Sequence, residues 1–237
     1  MKQVLNFAAA FAVGVAATTG GAQAETTAYG THDSTSGSYV DYMKTVYARA
    51  GKPEVMSLPL TSFDKEYDLH GLAAESWTQS DDGLTWTFHL RDGLVWSDGE
   101  PLKASDYVFA LKRASTSGYD FGWYWDFAGA LKNWKEVVDG SMDVSELGIR
   151  AIDATTLEVD TKTVKPYLPS VVSLWYPVPE HQWIKYGDEY AANVDTLVTS
   201  GPFVLESWEK SNNRMVLAKS PTYTGPWPAM VDRLVLD

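Results

Sequence analysis

The sequence predicts an α+β or mixed α/β fold, and three observations predict it. From Leu84 to Arg91 the chain alternates, with Leu84, Trp86, Phe88 and Leu90 on one side and Thr85, Thr87, His89 and Arg91 on the other. That period of two describes a half-buried antiparallel strand. Residues 104–115 instead place Tyr107, Val108, Leu111 and Ala114 at helical spacing. Strands and helices then follow one another without regular βαβ alternation, which favours mixed layers over a doubly wound sheet.

Taken in order, the first 24 residues read as an export signal. Lys2 gives a short positive start, Leu5 to Ala17 is an apolar run, and Ala22-Gln23-Ala24 offers a small-x-small cleavage pattern, with cleavage after Ala24. The run is too short for a bilayer, which needs about 20 apolar residues, so the chain reads as not membrane-spanning. Tyr39, Tyr42, Met43, Val46, Tyr47 and Ala50 fall on one helical face, closed by Gly51 and Pro53. Residues 54–71 read as a strand and loops. Asp81-Asp82-Gly83 and Asp92-Gly93 punctuate the strand at 84–91.

The helix at 104–115 begins after Lys103, which cannot accept a backbone N–H as an N-cap; Asp106 partly compensates through the helix dipole. Two short strands, Leu147–Ile152 and Thr156–Asp160, flank a turn at Asp153-Ala154. Pro179 to Tyr186 reads as a helix ended by Gly187. Phe203–Glu209 and Met215–Lys219 form a hairpin through Ser211-Asn212-Asn213, and Val231–Leu236 is the last strand.

Composition narrows the function classes. The formal net charge is −12, with 19 basic and 31 acidic residues, which argues against nucleic acid as a partner. There is no cysteine, so thiol catalysis, cysteine-ligated metals and a lipid-modified cysteine are excluded, and the fold relies on its core without disulfides. A free periplasmic protein of a Gram-negative cell fits these features. His32, His70, His89 and His181 are scattered, without HExxH or comparable ligand spacing, and neither a G-x-S-x-G elbow nor a P-loop is present. No cofactor or metal is expected. Glu75 reads as a surface or turn residue. Ten Trp and 13 Tyr are many for this length and suit either a core or aromatic ligand faces.

The densest functional signature runs from Leu72-Ala73-Ala74-Glu75-Ser76-Trp77 through Asp81-Asp82-Gly83-Leu84-Thr85-Trp86-Thr87-Phe88-His89-Leu90-Arg91 to Trp96-Ser97-Asp98-Gly99-Glu100-Pro101. It resembles the signature block of the family 5 extracellular solute-binding proteins, the oligopeptide and dipeptide receptors of bacterial ABC importers. Ser200-Gly201-Pro202-Phe203 with Trp208, and Ser220-Pro221-Thr222-Tyr223 before Val231–Leu236, continue the resemblance, with Thr224 where a second aromatic is usual. It covers residues 58–237; residues 25–57 match poorly, and the usual first strand is not obvious there.

The resemblance implies a type II periplasmic-binding-protein-like fold, in which two lobes close on a ligand. It places residues 25–64 and 163–237 in a discontinuous first lobe and 65–162 in an inserted small domain. The second lobe would follow residue 237, so the chain is expected to be an N-terminal fragment. The implied function is the substrate-binding component of an ABC importer, not an enzyme. It would capture a di- or oligopeptide in the periplasm and deliver it to permease and ATPase subunits. An oligosaccharide ligand, and more distantly a secreted carbohydrate-active enzyme, are the alternatives.

Tyr119, Phe121, Trp123, Tyr124 and Trp125 are the candidate ligand-binding aromatics, since flat rings accept varied side chains or sugar faces; core packing is the competing role. Ser200 and Gly201 are candidates to present backbone groups to the cleft, because glycine permits close approach; a plain strand-start turn is the competing role. The polar loop His32-Asp33-Ser34-Thr35-Ser36 stands near the expected cleft. Trp77, Trp86 and Trp96 read as scaffold, and Asp98-Gly99 as the turn before the helix.

Overall fold

The computed structural model describes residues 25–31, 40–43, 51–116 and 131–237. Its strands and α-helices run β1 (Thr27–Gly30), α1 (Pro53–Met56), β2 (Thr61–Phe63), β3 (Leu69–Gly71), β4 (Ala74–Gln79), β5 (Thr85–Leu90), α2 (Ala104–Ala114), α3 (Trp134–Val138), β6 (Ile149–Ala151), β7 (Thr156–Asp160), α4 (Leu168–Val171), α5 (Glu180–Tyr186), β8 (Phe203–Glu209), β9 (Arg214–Lys219) and β10 (Arg233–Leu236). Short 3-10 turns link several of them.

Among the described residues three sheets form. One is ordered β1-β10-β9-β8, another is the β2-β3 pair, and the third is β4-β5-β7-β6. Among the described residues all pairings are antiparallel except β1 with β10, which run parallel with Thr27 opposite Arg233 and Gly30 opposite Leu236. Parallel neighbours cannot be joined by a tight turn, so this pair closes the sheet with residues from opposite ends of the chain. Asp232 secures the junction by accepting both the Thr26 N–H and its hydroxyl at 2.9 Å.

β1 is the correction to the sequence reading, which found no first strand within residues 25–57. Its residues Thr27-Ala28-Tyr29-Gly30 show no alternation of apolar and polar side chains, and none is fully buried. The strand therefore depends on β10 and not on its own pattern. Residues 54–71 likewise hold more than a strand and loops: one turn of α1, then β2 paired with β3. Of the expected helix at 39–50, only residues 40–43 are described. There Asp41 Oδ1 accepts the Met43 N–H at 3.1 Å in a turn.

Other elements match the residue patterns closely. Trp86, Phe88 and Leu90 bury one face of β5, while His89 on the other face is exposed. The Asp153 carboxylate accepts the N–H groups of Thr155 and Thr156 at 2.8 and 2.7 Å, which shapes the turn between β6 and β7. α5 starts after Pro179 and stops at Gly187, whose φ of 54° belongs to the left-handed side that glycine accommodates. In α2 the buried arc includes Tyr107, Ala110, Leu111, Arg113 and Ala114, whereas Val108 is only half-buried.

At the start of α2, Asp106 accepts the Lys103 backbone N–H at 2.9 Å, so the compensation for the poor cap is a hydrogen bond. The indole N–H of Trp96 donates to the same oxygen at 3.1 Å. Trp96 is 1% exposed and thus ties the signature block to the helix that follows it.

Candidate functional site

Loops from distant parts of the chain converge on α1 and the end of α2. The Ser200 and Gly201 N–H groups both donate to the Met56 carbonyl, at 3.2 and 3.0 Å. Ser200 Oγ in turn accepts the Leu58 N–H at 3.0 Å. A Cβ on Gly201 would stand 2.6 Å from the Val55 carbonyl oxygen and the Met56 carbonyl carbon. Glycine is needed here because the loop lies directly against the backbone of α1. The close approach is made to the protein's own chain, and the N–H groups expected at the cleft already have partners.

Beside this contact lies a buried ion pair that residue spacing did not reveal. Arg113 Nη1 and Nη2 donate to Asp41 Oδ2 and Oδ1 at 2.5 and 2.7 Å, with side-chain exposures of 5% and 1%. The guanidinium also stacks 4.7 Å from the ring centroid of Trp183 on α5. The Val40 N–H donates to the Ala191 carbonyl at 3.1 Å, and Tyr42 packs against Tyr176 with centroids 5.5 Å apart. These contacts fix residues 40–43 against α2 and against the chain on either side of α5, at Tyr176 and Ala191.

Two ions lose their hydration when buried, and only good geometry with further hydrogen bonds offsets that loss. The bidentate fork supplies such geometry. A signal for the pair did exist in the sequence: Arg113 lies three residues after Ala110, inside the buried arc of α2. A cation at core spacing requires a buried anion somewhere, but nothing in the local sequence identifies Asp41 as that anion. The cavity bordered by Asp41, Tyr42, Trp96, Tyr176, Tyr190 and Ser200 measures about 20 Å³, room for about one water. Burial raises the Tyr190 phenol well above its usual value, with nearby Asp41 pushing the same way.

Asp98-Gly99 forms the turn that sequence suggested, with Gly99 at φ 89° and its N–H donating to the Trp96 carbonyl at 2.9 Å. The turn also carries a tie to α5: Asp98 Oδ2 contacts His181 Nε2 at 2.8 Å and accepts from Gln182 Nε2 at 2.9 Å. Desolvation raises the Asp98 pKa, but these bonds outweigh it and hold the carboxyl below the usual range. Trp86 is buried and Trp77 packs on Phe88 at 6.3 Å between centroids. Glu75 is exposed.

Tyr119, Phe121, Trp123, Tyr124, Trp125 and the loop from His32 to Ser36 lie outside the described residues. Among the described residues no group of three His, Asp or Glu side chains is gathered as a metal site, and no helix is long and apolar enough to cross a membrane.

Residues 68–237 match the family described as bacterial extracellular solute-binding proteins, family 5. The chain belongs to that family. Among curated relatives it is 36% identical over 169 residues to the probable deoxycholate-binding periplasmic protein YgiS of Escherichia coli, covering 69% of this chain and 31% of that one. It is 34% identical over 154 residues to the periplasmic oligopeptide-binding protein OppA of the same organism, covering 63% and 28%.

Solved structures agree on the fold. The substrate-binding domain of an oligopeptide ABC transporter from Bacillus anthracis superposes with a TM-score of 0.78 at 30% identity, over 89% of this chain and 40% of that one. OppA of Listeria monocytogenes bound to peptide gives 0.78 at 27%, over 90% and 42%. The family 5 chain thus has part of the type II periplasmic-binding-protein fold. It spans about 31% of the first curated relative's length and about 40% of the first solved chain's.

Proposed function

We propose that this chain carries part of the substrate-binding component of an ABC importer. The component captures a di- or oligopeptide in the periplasm and delivers it to a permease driven by ATPase subunits. Membership of family 5 across residues 68–237 is the observation that carries the reading. The chain itself catalyses nothing in this account: the ligand stabilises a closed arrangement of lobes and leaves unchanged.

In this reading residues 25–64 and 163–237 belong to one lobe and 65–162 to an inserted domain. The two larger sheets support the division, since β1 shares a sheet with β8, β9 and β10 while β4 to β7 form another; the β2–β3 pair runs across the 64/65 boundary. Tyr119, Phe121, Trp123, Tyr124 and Trp125 supply the aromatic ligand wall. Ser200 and Gly201 hold their loop on α1 through the Met56 carbonyl. The first 24 residues direct export, and mass spectrometry of the secreted chain is expected to find Glu25 as its first residue.

Titration calorimetry with mixed tri- and tetrapeptides tests the ligand, with deoxycholate and a neutral oligosaccharide as competitors. Saturable peptide binding with the peptides recovered intact is the expected result. The name of the 36% identical relative gives a specific second reading, an amphipathic sterol carboxylate. Binding of deoxycholate alone would select it over peptide. Cleaved peptide or glycan, or no binding to any of the three, would overturn the receptor reading.

A further inference from the structure

We infer that the cavity bordered by Asp41, Tyr190 and Ser200 is a binding site for one internal water, held by the Tyr190 hydroxyl. This water joins residues 40–43 to the loop that precedes β8. The cavity measures about 20 Å³, enough for one water and too little for an organic ligand. Buried cavities stay dry where their walls are apolar. Here the lining includes Asp41, Ser57, Tyr190, Thr199 and Ser200 among its apolar side chains.

Several of these groups keep hydrogen-bonding capacity that the protein leaves unused. Tyr190 is 5% exposed, yet among the described residues its hydroxyl makes no hydrogen bond. A buried hydroxyl without a partner is costly. Burial and the carboxylates of Asp41, Asp106 and Asp98 keep this phenol protonated against the pull of Arg113, so it remains a donor. Ser200 Oγ accepts the Leu58 N–H at 3.0 Å and retains its own proton to donate. Asp41 Oδ1 accepts from Arg113 and from the Met43 N–H, whereas Oδ2 accepts from Arg113 alone and can take another bond.

The occupant must therefore accept from hydroxyls and donate to a carboxylate. A cation cannot accept, and an anion would face Asp41, whose charge Arg113 already balances. Water does both, and a bridging water is nearly as favourable as a direct bond. The walls are held so that they do not close over the space. The Tyr190 N–H donates to the Gly187 carbonyl at 3.0 Å. Ala191 follows at φ 59°, uncommon for a residue with a side chain. Its N–H donates to the Thr196 carbonyl at 3.2 Å, and its carbonyl accepts the Val40 N–H at 3.1 Å. Opposite, the Ser97 N–H donates to the Thr199 carbonyl at 2.8 Å and Ser97 Oγ accepts the Thr199 N–H at 3.0 Å. The site belongs to the protein's own packing and does not rest on the peptide reading.

Relaxation dispersion of water oxygen in a solution of the full chain tests it, because the method registers waters held longer than the molecule takes to tumble. The parent is expected to hold one more such water than Tyr190→Phe. Tyr67→Phe, at an exposed tyrosine, is expected to match the parent. Nuclear Overhauser transfer then locates the water: contacts are expected with the methyl groups of Met43 and Val178, two buried side chains that border the cavity. If Tyr190→Phe melts too low for comparison, the Overhauser measurement on the parent decides alone. The same number of long-lived waters in the parent and in Tyr190→Phe, or no water contact to those methyl groups in the parent, would overturn the inference.

Discussion

At the last turn of α2 the guanidinium of Arg113 enters the core only because Asp41 meets both of its forked nitrogens there. Removing one partner leaves the other charged and buried, whereas removing both leaves apolar groups that can pack. Asp41→Ala is therefore expected to cost about 3–5 kcal/mol, while the double variant Asp41→Leu with Arg113→Met recovers most of it. Urea denaturation of the two variants checks this, and equal losses in both would refute the charge argument. Gly201 gives a second residue-level case. A methyl group there would meet the α1 backbone at 2.6 Å, so Gly201→Ala is expected to lower stability by about 1–3 kcal/mol. Gly140, whose added Cβ would meet nothing within 4 Å, bears only the cost of its φ of 76°. At that site Gly→Ala is expected to cost about 1–2 kcal/mol, and comparison of the two melts separates collision from backbone strain.

The elements legible in the sequence were those whose pattern is local. β5 followed from the alternation of Trp86, Phe88 and Leu90, and α5 from Pro179 and Gly187 at its ends. β1 was not legible, because a four-residue strand with no buried side chain takes its conformation from β10. The Asp41–Arg113 pair was half legible: the cation sat at core spacing on α2, but its anion lay far away in sequence. The candidate aromatics Tyr119 to Trp125 rest on aromatic chemistry and on the family resemblance, and lie outside the described residues. Between elements, the Asp98 turn holds α5 through His181 and Gln182. The folded-state pKa of Asp98 lies below its ordinary 3.8. Its contribution is therefore present above pH 3.8 and is lost as pH falls through the lower folded value. Asp106 has the opposite sign, since desolvation raises its pKa above 3.8 despite bonds from Lys103 and Trp96. It contributes relative stability below 3.8 that is lost as pH rises through the raised value. Asp98→Asn is accordingly expected to flatten the loss of melting temperature below pH 4, and Asp106→Asn to flatten the change above it. Melting curves of both variants from pH 2.5 to 7 decide the signs, and parallel curves for parent and variants would overturn the assignment.

For the molecule as a whole, the sheet β1-β10-β9-β8 makes the described core depend on residues near both ends of the sequence. β10 lies between β9 and β1, and its Leu234, Val235 and Leu236 are buried. Without β1, one side of β10 becomes an unpaired edge beside an apolar face, a template for pairing with another chain. Contacts this distant in sequence form late, since a long loop must close before they contribute. The β1–β10 pair is then expected to be absent from the folding transition state, so that its loss accelerates unfolding and leaves refolding nearly unchanged. Replacing Ala28 and Tyr29 together by proline removes two adjacent N–H donors, at least one of which points toward β10. That variant is expected to unfold faster by about tenfold or more, the equivalent of about 1.4 kcal/mol, and to associate at rising concentration where the parent does not. Stopped-flow urea kinetics read the first effect and size-exclusion chromatography across a concentration series reads the second. A slowed refolding limb with unchanged unfolding would instead place the pairing of the chain's distant ends early, and would make this sheet the nucleus of the fold.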